Sequence, residues 1–348
     1  IKYKITPMIM TGTNWKKLTP DLEHAILTDE IQRTQQFGTT KIIFNRGILS
    51  TQAFAKDLDK KPGTEKELID GTKGLISKPG NIWRKRLGGQ VLYNIHDFFK
   101  QGSTGGQFYA ALYELSDREL IDILLKSKGA EIILSSSDSN TDSRPELHKA
   151  MSKGLLKVYD RIMKSNSIGH NKFVVYVDQH GKAKSVLTGS LNWTPTGVCG
   201  QTNNVIILHQ PDIAAQYLAY WNELKADTPS TGSAPQDAPL RTWCHDNGLD
   251  VSLNTNTTAG MWFSPNTSRK TKPSPVKKSD IPVDLTEVYD LISGAKKQVL
   301  FLVFNPGAPS ILEEIRAAAD KAKKANKPIF VRGAVSDAVM AKKVTTNI

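Results

Sequence analysis

Two stretches far apart in the chain follow the same order of strand, helix and strand, and this recurrence limits the possible folds. In the first, Gln107-Phe-Tyr-Ala-Ala-Leu-Tyr113 reads as an apolar strand. Residues Asp117 to Ser127 then carry Leu120, Ile121, Leu124 and Leu125 at helical spacing, and Glu131-Ile-Ile-Leu-Ser-Ser-Ser137 is a second strand. Ser116 or Asp117 offers a side-chain oxygen to cap the helix. In the second stretch, a strand at Gln298 to Phe304 leads to a helix from about Ser310 to Lys324 and a strand at Pro328-Ile-Phe-Val-Arg332. Apolar strands joined by an amphipathic helix form βαβ units, the building block of α/β layer folds. Their repetition implies two similar halves meeting across a pseudo-twofold interface, with two unrelated βαβ pieces as the alternative.

The remaining segments divide the chain around these units. Residues 1–45 hold short apolar stretches, Tyr3-Lys-Ile-Thr-Pro-Met8 and Lys41-Ile-Ile-Phe44, among polar turns, and read as the tail of a β-rich domain whose start is missing. The opening Ile1-Lys-Tyr3 lacks both a starting Met and a signal-peptide pattern, as expected of a segment that begins inside a larger protein. Residues 46–226 form a first half, with a further short element at 154–163. Residues 227–280, rich in Pro, Ser, Thr, Asn and Lys, read as a linker or long loop that includes Ser268 to Pro275. Residues 281–348 begin a second half. A chain of 348 residues is expected to hold more than one core.

The chemistry concentrates in the first half. In His170-Asn-Lys-Phe-Val-Val-Tyr-Val177 the β-branched and aromatic residues predict a strand, and period-two alternation puts His170 and Lys172 on one face. Asp178-Gln-His-Gly181 is a turn, and Ala183 to Thr188 a returning antiparallel strand that ends at Gly189-Ser190-Leu-Asn192. The hairpin carries Ser190 and Asn192 back beside His170. An imidazole, an ammonium, a hydroxyl and a carboxamide at one place suit attack on a phosphodiester and stabilisation of its charge.

His-x-Lys followed across a hairpin by Gly-Ser-x-Asn-Trp-Thr resembles the phospholipase D superfamily, and in particular its large bacterial members with a β domain ahead of two catalytic halves. The likeness runs from the strand at 107 to Leu224 and, more weakly, from 262 onward. It implies a duplicated α-β-α sandwich whose second half is incomplete here. It also implies metal-free and cofactor-free hydrolysis or transfer through a phosphohistidine, with one His attacking phosphorus and another protonating the leaving oxygen. Lys172, Ser190 and Asn192 would then bind the non-bridging oxygens. Two departures stand out. Five residues, not the family's four, separate Lys172 from Asp178, which leaves Asp178 the role of orienting the turn. Where short bacterial endonucleases of the superfamily place a Glu behind the histidine, this chain has Asn203, with Asn204 next. An Asn adds no negative charge, so His170 is expected to be less easily protonated than its carboxylate-backed counterparts.

The family pairs two motifs, yet His209 and His245 are followed at the second position by Pro211 and Asn247, and no histidine comes after 245. The interval of 32 residues from Asp138 to His170, counted from Asp337, falls near position 369, past the last residue. The second motif is therefore expected in the parent chain beyond residue 348, with a homodimer of one-motif chains as the alternative. The formal charge of +12 favours polyanionic partners but does not separate phospholipid headgroups, the leading substrate, from nucleic acid. A non-catalytic binding protein with a degenerate second half is the third reading. Two cysteines, Cys199 and Cys244, give neither a disulfide framework nor a zinc site and are expected to pack in the core. With no apolar run near ~20 residues and no visible leader, the leaning is towards a soluble cytoplasmic location. His96-Asp97 falls on a predicted helix, where neighbours diverge. Gly102-Ser-Thr-Gly-Gly106 lacks the Lys-Ser/Thr of a phosphate loop and reads as a turn, and Trp193 reads as core.

Overall fold

The computed structural model describes residues 4–5, 8–11, 14–17, 26–27, 35–47, 52–58, 64–164, 167–230, 232–235, 238–254, 256–266, 281–304 and 311–335. The chain forms two units, Ile1–Val158 with His170–Ala215, and Tyr159–Gly169 with Gln216–Ile348. The expected limits of 46–226 and 281–348 do not follow this division.

In the first unit, β1 (Lys4–Ile5), β2 (Met8–Thr11), β3 (Asn14–Lys17) and β4 (Ile26–Leu27) form two small antiparallel pairs, β1 with β4 and β2 with β3. Next come β5 (Gln36–Phe37) and β6 (Thr40–Phe44). The latter was expected to close a separate β-rich domain at residue 45. It instead lies along Asn204–Leu208 in the central sheet, where Ile43 is fully buried. Four helices follow: α1 (Gln52–Lys56), α2 (Glu65–Ile76), α3 (Ile82–Gly88) and α4 (Val91–Phe99). Helix α4 buries Val91, Ile95 and Phe98, one stripe at i, i+4 and i+7.

The expected βαβ unit is present as β7 (Gln107–Leu112), α5 (Arg118–Lys126) and β8 (Glu131–Ser135), the two strands parallel. Asp117 caps α5 by accepting from the Leu120 N–H, and the same carboxylate receives both terminal nitrogens of buried Arg84 at 2.8 Å. One side chain thereby ties α3 to the start of α5. Helix α6 (Ser143–Ser152) leads to β9 (Lys157–Arg161), the element expected near 154–163. The motif hairpin follows as β10 (Lys172–Val177) and β11 (Ala183–Gly189), then α7 (Pro195–Cys199), β12 (Asn204–Leu208) and α8 (Pro211–Ala226). The central sheet has the order β5-β6-β12-β11-β10-β7-β8-β9. Antiparallel neighbours run from β5 to β7. The fold is thus mixed α/β, as the βαβ pattern implied.

The second unit continues with α9 (Ala238–Asp246), the hairpin β13 (Leu249–Asn254) and β14 (Thr257–Met261), α10 (Val283–Ser293), β15 (Gln298–Val303), α11 (Ile311–Lys324) and β16 (Phe330–Val335). Part of the expected linker at 227–280 is therefore ordered structure. Leu240 and Cys244 are buried one helical turn apart, and the Tyr220 ring stacks with Trp243 and Phe263, with Tyr220 to Phe263 at 4.5 Å between centroids. Residues Ser268 to Pro275 lie outside the described residues. Strands β15 and β16 are parallel and joined by α11, so the second βαβ is present with the predicted helix to within a residue. Ser310 and Asp337 also fall outside the described residues. Among the described residues this unit holds that parallel pair and the β13–β14 hairpin, and a full second sandwich is not seen. No described helix is long and apolar enough to cross a membrane.

Candidate active site

The site is built at one end of the central sheet, by the register of three strands. Lys172, the first residue of β10, lies opposite Leu112 at the end of β7, and Gly189 ends β11 opposite Val205. The β10–β11 register pairs Val174 with Leu187, so two residues on, Lys172 faces the Gly189 end of the returning strand. His170 precedes β10 in extended chain held by the N–H of Tyr113, which donates to the Asn171 carbonyl at 2.8 Å. The hairpin thus does what the spacing predicted and brings His170, Lys172, Ser190 and Asn192 to a common edge.

Gly189 is required where it stands. Its φ is +138°, and a Cβ would come within 2.4 Å of the Asn204 carbonyl oxygen. That close approach lets Ser190 donate its N–H to the same carbonyl at 3.2 Å and accept the Asn204 N–H on Oγ at 3.0 Å. The Ser190 hydroxyl in turn donates to Asn203 Oδ1 at 3.0 Å. Asn203 and Asn204 therefore brace Ser190, not the histidine they were expected to back. Asn203 also donates to the carbonyl of Gly197, the side chain of Gln201 and, from its N–H, Asn45 Oδ1, and its carbonyl accepts the Asn45 N–H. Among the described residues no hydrogen bond reaches the His170 ring, and no carboxylate stands behind it.

Two residues absent from the sequence motif complete the site. The Tyr113 ring contacts both His170 and Lys172, T-shaped to His170 with centroids 4.8 Å apart and with Lys172 Nζ at 5.3 Å from its own centroid. Glu114 accepts from Asn192 Nδ2 at 2.6 Å and from Ser139 Oγ at 3.0 Å. The signal for Glu114 was a single acid ending an apolar strand run. The next residues secure this edge: Asn140, fully buried, bonds to Leu115 N–H and to the carbonyls of Tyr113 and Ser135. Trp193 is core, 1% exposed, and its N–H donates to the Glu114 carbonyl.

Burial sets the electrostatics. It lowers His170 below the ordinary imidazole value, helped by the nearby Lys172 charge, so the ring is neutral at physiological pH. It lowers the Lys172 ammonium to about 8, against the opposing pull of Glu114. Lys172 remains mostly charged at pH 7.

Asp178 lies elsewhere. It follows β10 at the end remote from His170, roughly 20 Å along the strand at about 3.3 Å per residue. Its Oδ1 accepts the N–H of His180 and of Lys182, and Lys184 pairs with Oδ2 at 3.4 Å. The Lys182 backbone bond is the main cause of its lowered pKa. It holds the turn. Asp178→Asn is accordingly expected to leave the activity of the site within about twofold of wild type, with only a small fall in melting temperature. A second His-x-Lys spelling, His180-Gly-Lys182, lies in this same turn and so away from the site. Gly102 to Gly106 also turn at this far end, with Gly106 too close to the Val177 carbonyl for any Cβ. His96 and Asp97 diverge as expected, to Glu119 at 2.8 Å and to Lys41 at 3.2 Å. Cys199 and Cys244 are fully buried, and burial pushes both thiols up to about 12.

Residues 98–225 match the family model described as "Cardiolipin synthase, PLD-like domain". A comparison with curated proteins finds no match. Among solved structures, NucT from Helicobacter pylori is 15% identical with a TM-score of 0.32, over 40% of this chain and 92% of that one. Nuc from Salmonella typhimurium, a phospholipase D family member, is 17% identical with a TM-score of 0.30, over 39% and 87%. Phosphatidylserine synthase from Haemophilus influenzae is 11% identical with a TM-score of 0.45, over 71% and 60%.

Proposed function

We propose that residues 98–225, which match a phospholipase D-like family model, form a domain that hydrolyses or transfers phosphodiesters of phospholipid headgroups through a phosphohistidine. The observation that carries the proposal is the convergence of His170, Lys172, Ser190 and Asn192 at one end of one sheet. His170 suits the nucleophile, because burial and Lys172 keep its ring neutral. Its lone pair attacks phosphorus, the bond to the leaving oxygen breaks, and a second histidine gives that oxygen its proton. Water or an alcohol then attacks the phosphohistidine, returns a proton to the second histidine and frees His170. Lys172 and the Asn192 amide donate to the non-bridging oxygens as charge grows on them. The second histidine comes from a second copy of the motif, in the same polypeptide or in another copy of this chain.

The description of the matched family names a cardiolipin synthase, which puts a phospholipid ahead of nucleic acid as substrate. The net charge of +12 suits an anionic bilayer surface equally well. The test offers phosphatidylcholine vesicles, single-stranded DNA and bis(p-nitrophenyl) phosphate in parallel, each with EDTA. Choline release and nitrophenol release that EDTA leaves unchanged are expected. DNA cleavage without choline release would move the substrate to nucleic acid. Activity lost with EDTA would end the metal-free mechanism.

A further inference from the structure

Glu114 lies outside both halves of the His-x-Lys and Gly-Ser-x-Asn motif, yet among the described residues it is the only carboxylate hydrogen-bonded to any of the four motif side chains. Its Oε2 accepts from Asn192 Nδ2 at 2.6 Å, its Oε1 accepts from Ser139 at 3.0 Å, and its backbone carbonyl accepts the Trp193 N–H at 3.1 Å. Backbone and side chain of one residue therefore grip two successive residues of the loop. An ionised carboxylate allows only one orientation of the Asn192 amide, because the reverse would set two acceptors face to face. The consequence is visible at the other end of that amide, where Asn192 Oδ1 is buried with no hydrogen-bond partner among the described residues. A buried unpaired carbonyl is costly, so the Glu114 contact decides which way the amide points. The second hydrogen on Nδ2 is left to donate to a phosphoryl oxygen.

We propose that Glu114 is a positioning residue of this site, its carboxylate fixing the Asn192 amide and supplying the negative charge against which Lys172 works. The inference rests on the proposed function for its phosphoryl ligand alone. The charge of Glu114 acts on Lys172 in the direction opposite to burial, which otherwise drives the ammonium towards its neutral form. A residue that merely packed the loop would do neither.

Glu114→Gln keeps the size and an acceptor oxygen but removes the charge. Lys172 is titrated by NMR in ¹³C-lysine-labelled full-length chain, its signal identified by its loss in Lys172→Met. Turnover of bis(p-nitrophenyl) phosphate is followed across pH. In E114Q the Lys172 midpoint is expected to fall by about half a pH unit or more. The alkaline limb of turnover should move with it, and kcat should drop about tenfold with KM changed less than threefold. Glu114→Asp, which restores the charge, should return the midpoint towards wild type and serves as the fallback where E114Q does not fold, its smaller shift keeping the same sign. An unmoved midpoint and limb in a folded variant would overturn the proposal, whatever happens to the melting temperature. Should the wild type cleave no phosphodiester while the midpoint still falls in E114Q, the proposed function fails and the placement of Glu114 stands.

Discussion

His170→Ala is expected to lower phosphodiester turnover by a thousandfold or more while leaving the melting temperature within a degree or two of wild type. The two halves of that expectation have separate causes. A nucleophile that forms the covalent intermediate cannot be replaced by the solvent at the same barrier, and a thousandfold is about 4 kcal/mol. The ring, by contrast, is only partly buried and makes no hydrogen bond among the described residues beyond its edge contact with Tyr113. Truncating such a side chain ordinarily changes stability by under ~0.5 kcal/mol. Steady-state turnover with scanning calorimetry on the same preparation checks both. Phosphorus-31 NMR of quenched wild type should show a phosphohistidine that the variant lacks. Turnover within tenfold of wild type would strip His170 of the nucleophile's role.

Much of this site was legible because its placement is local. His170 and Asn192 are 22 residues apart in sequence, and a hairpin with period-two strands leaves almost no freedom in how they meet. The βαβ units were legible for a similar reason, since apolar runs flanking an amphipathic helix have one usual handedness and one usual arrangement. Asp178 shows the same rule from the other side. Its place past the end of β10 follows from the strand length, and its oxygens go to the turn.

What was not legible depends on contacts that skip along the chain. Strand β6 joins the sheet through pairing with β12, some 160 residues later, and nothing in Thr40-Lys-Ile-Ile-Phe44 names that partner. The segment expected as a linker hid α9 and a hairpin, because a few apolar residues, Leu240, Trp243 and Cys244, sufficed to anchor a helix in a polar composition. Asn203 illustrates the risk of carrying a spacing across relatives. Counting from Asn192 reaches the residue before β12, but the side chain bonds Ser190 and Gly197. Tyr113 and Glu114 follow the end of the neighbouring strand, so only the β7–β10 pairing reveals them.

Lys172→Met should abolish turnover and raise stability together. The folded environment lowers the Lys172 ammonium from its usual value to about 8, chiefly by burial. The sign follows from proton binding: below pH 8 the folded state holds the charged form at a cost that the unfolded chain does not share. That penalty is fully present at neutral pH and fades as pH rises from about 8 towards 10.5. A shift of this size corresponds to an upper bound of about 3 kcal/mol, and partial exposure brings the expected gain to about 1–2 kcal/mol at pH 7. Methionine fills the same stem without the charge, so denaturant unfolding at pH 7 should show that gain, and unfolding near pH 10.5 should show it lost. The same values shape the wild-type rate. Neutral His170 requires a pH above its lowered imidazole value, and charged Lys172 requires a pH below about 8. Turnover should therefore be flat between them, falling on the acid side below 6.5 and on the alkaline side near 8. An alkaline limb above pH 10 would mean that bound phosphate, not the protein, governs the Lys172 proton. A destabilised K172M would mean that Glu114 more than offsets the cost of burying the charge.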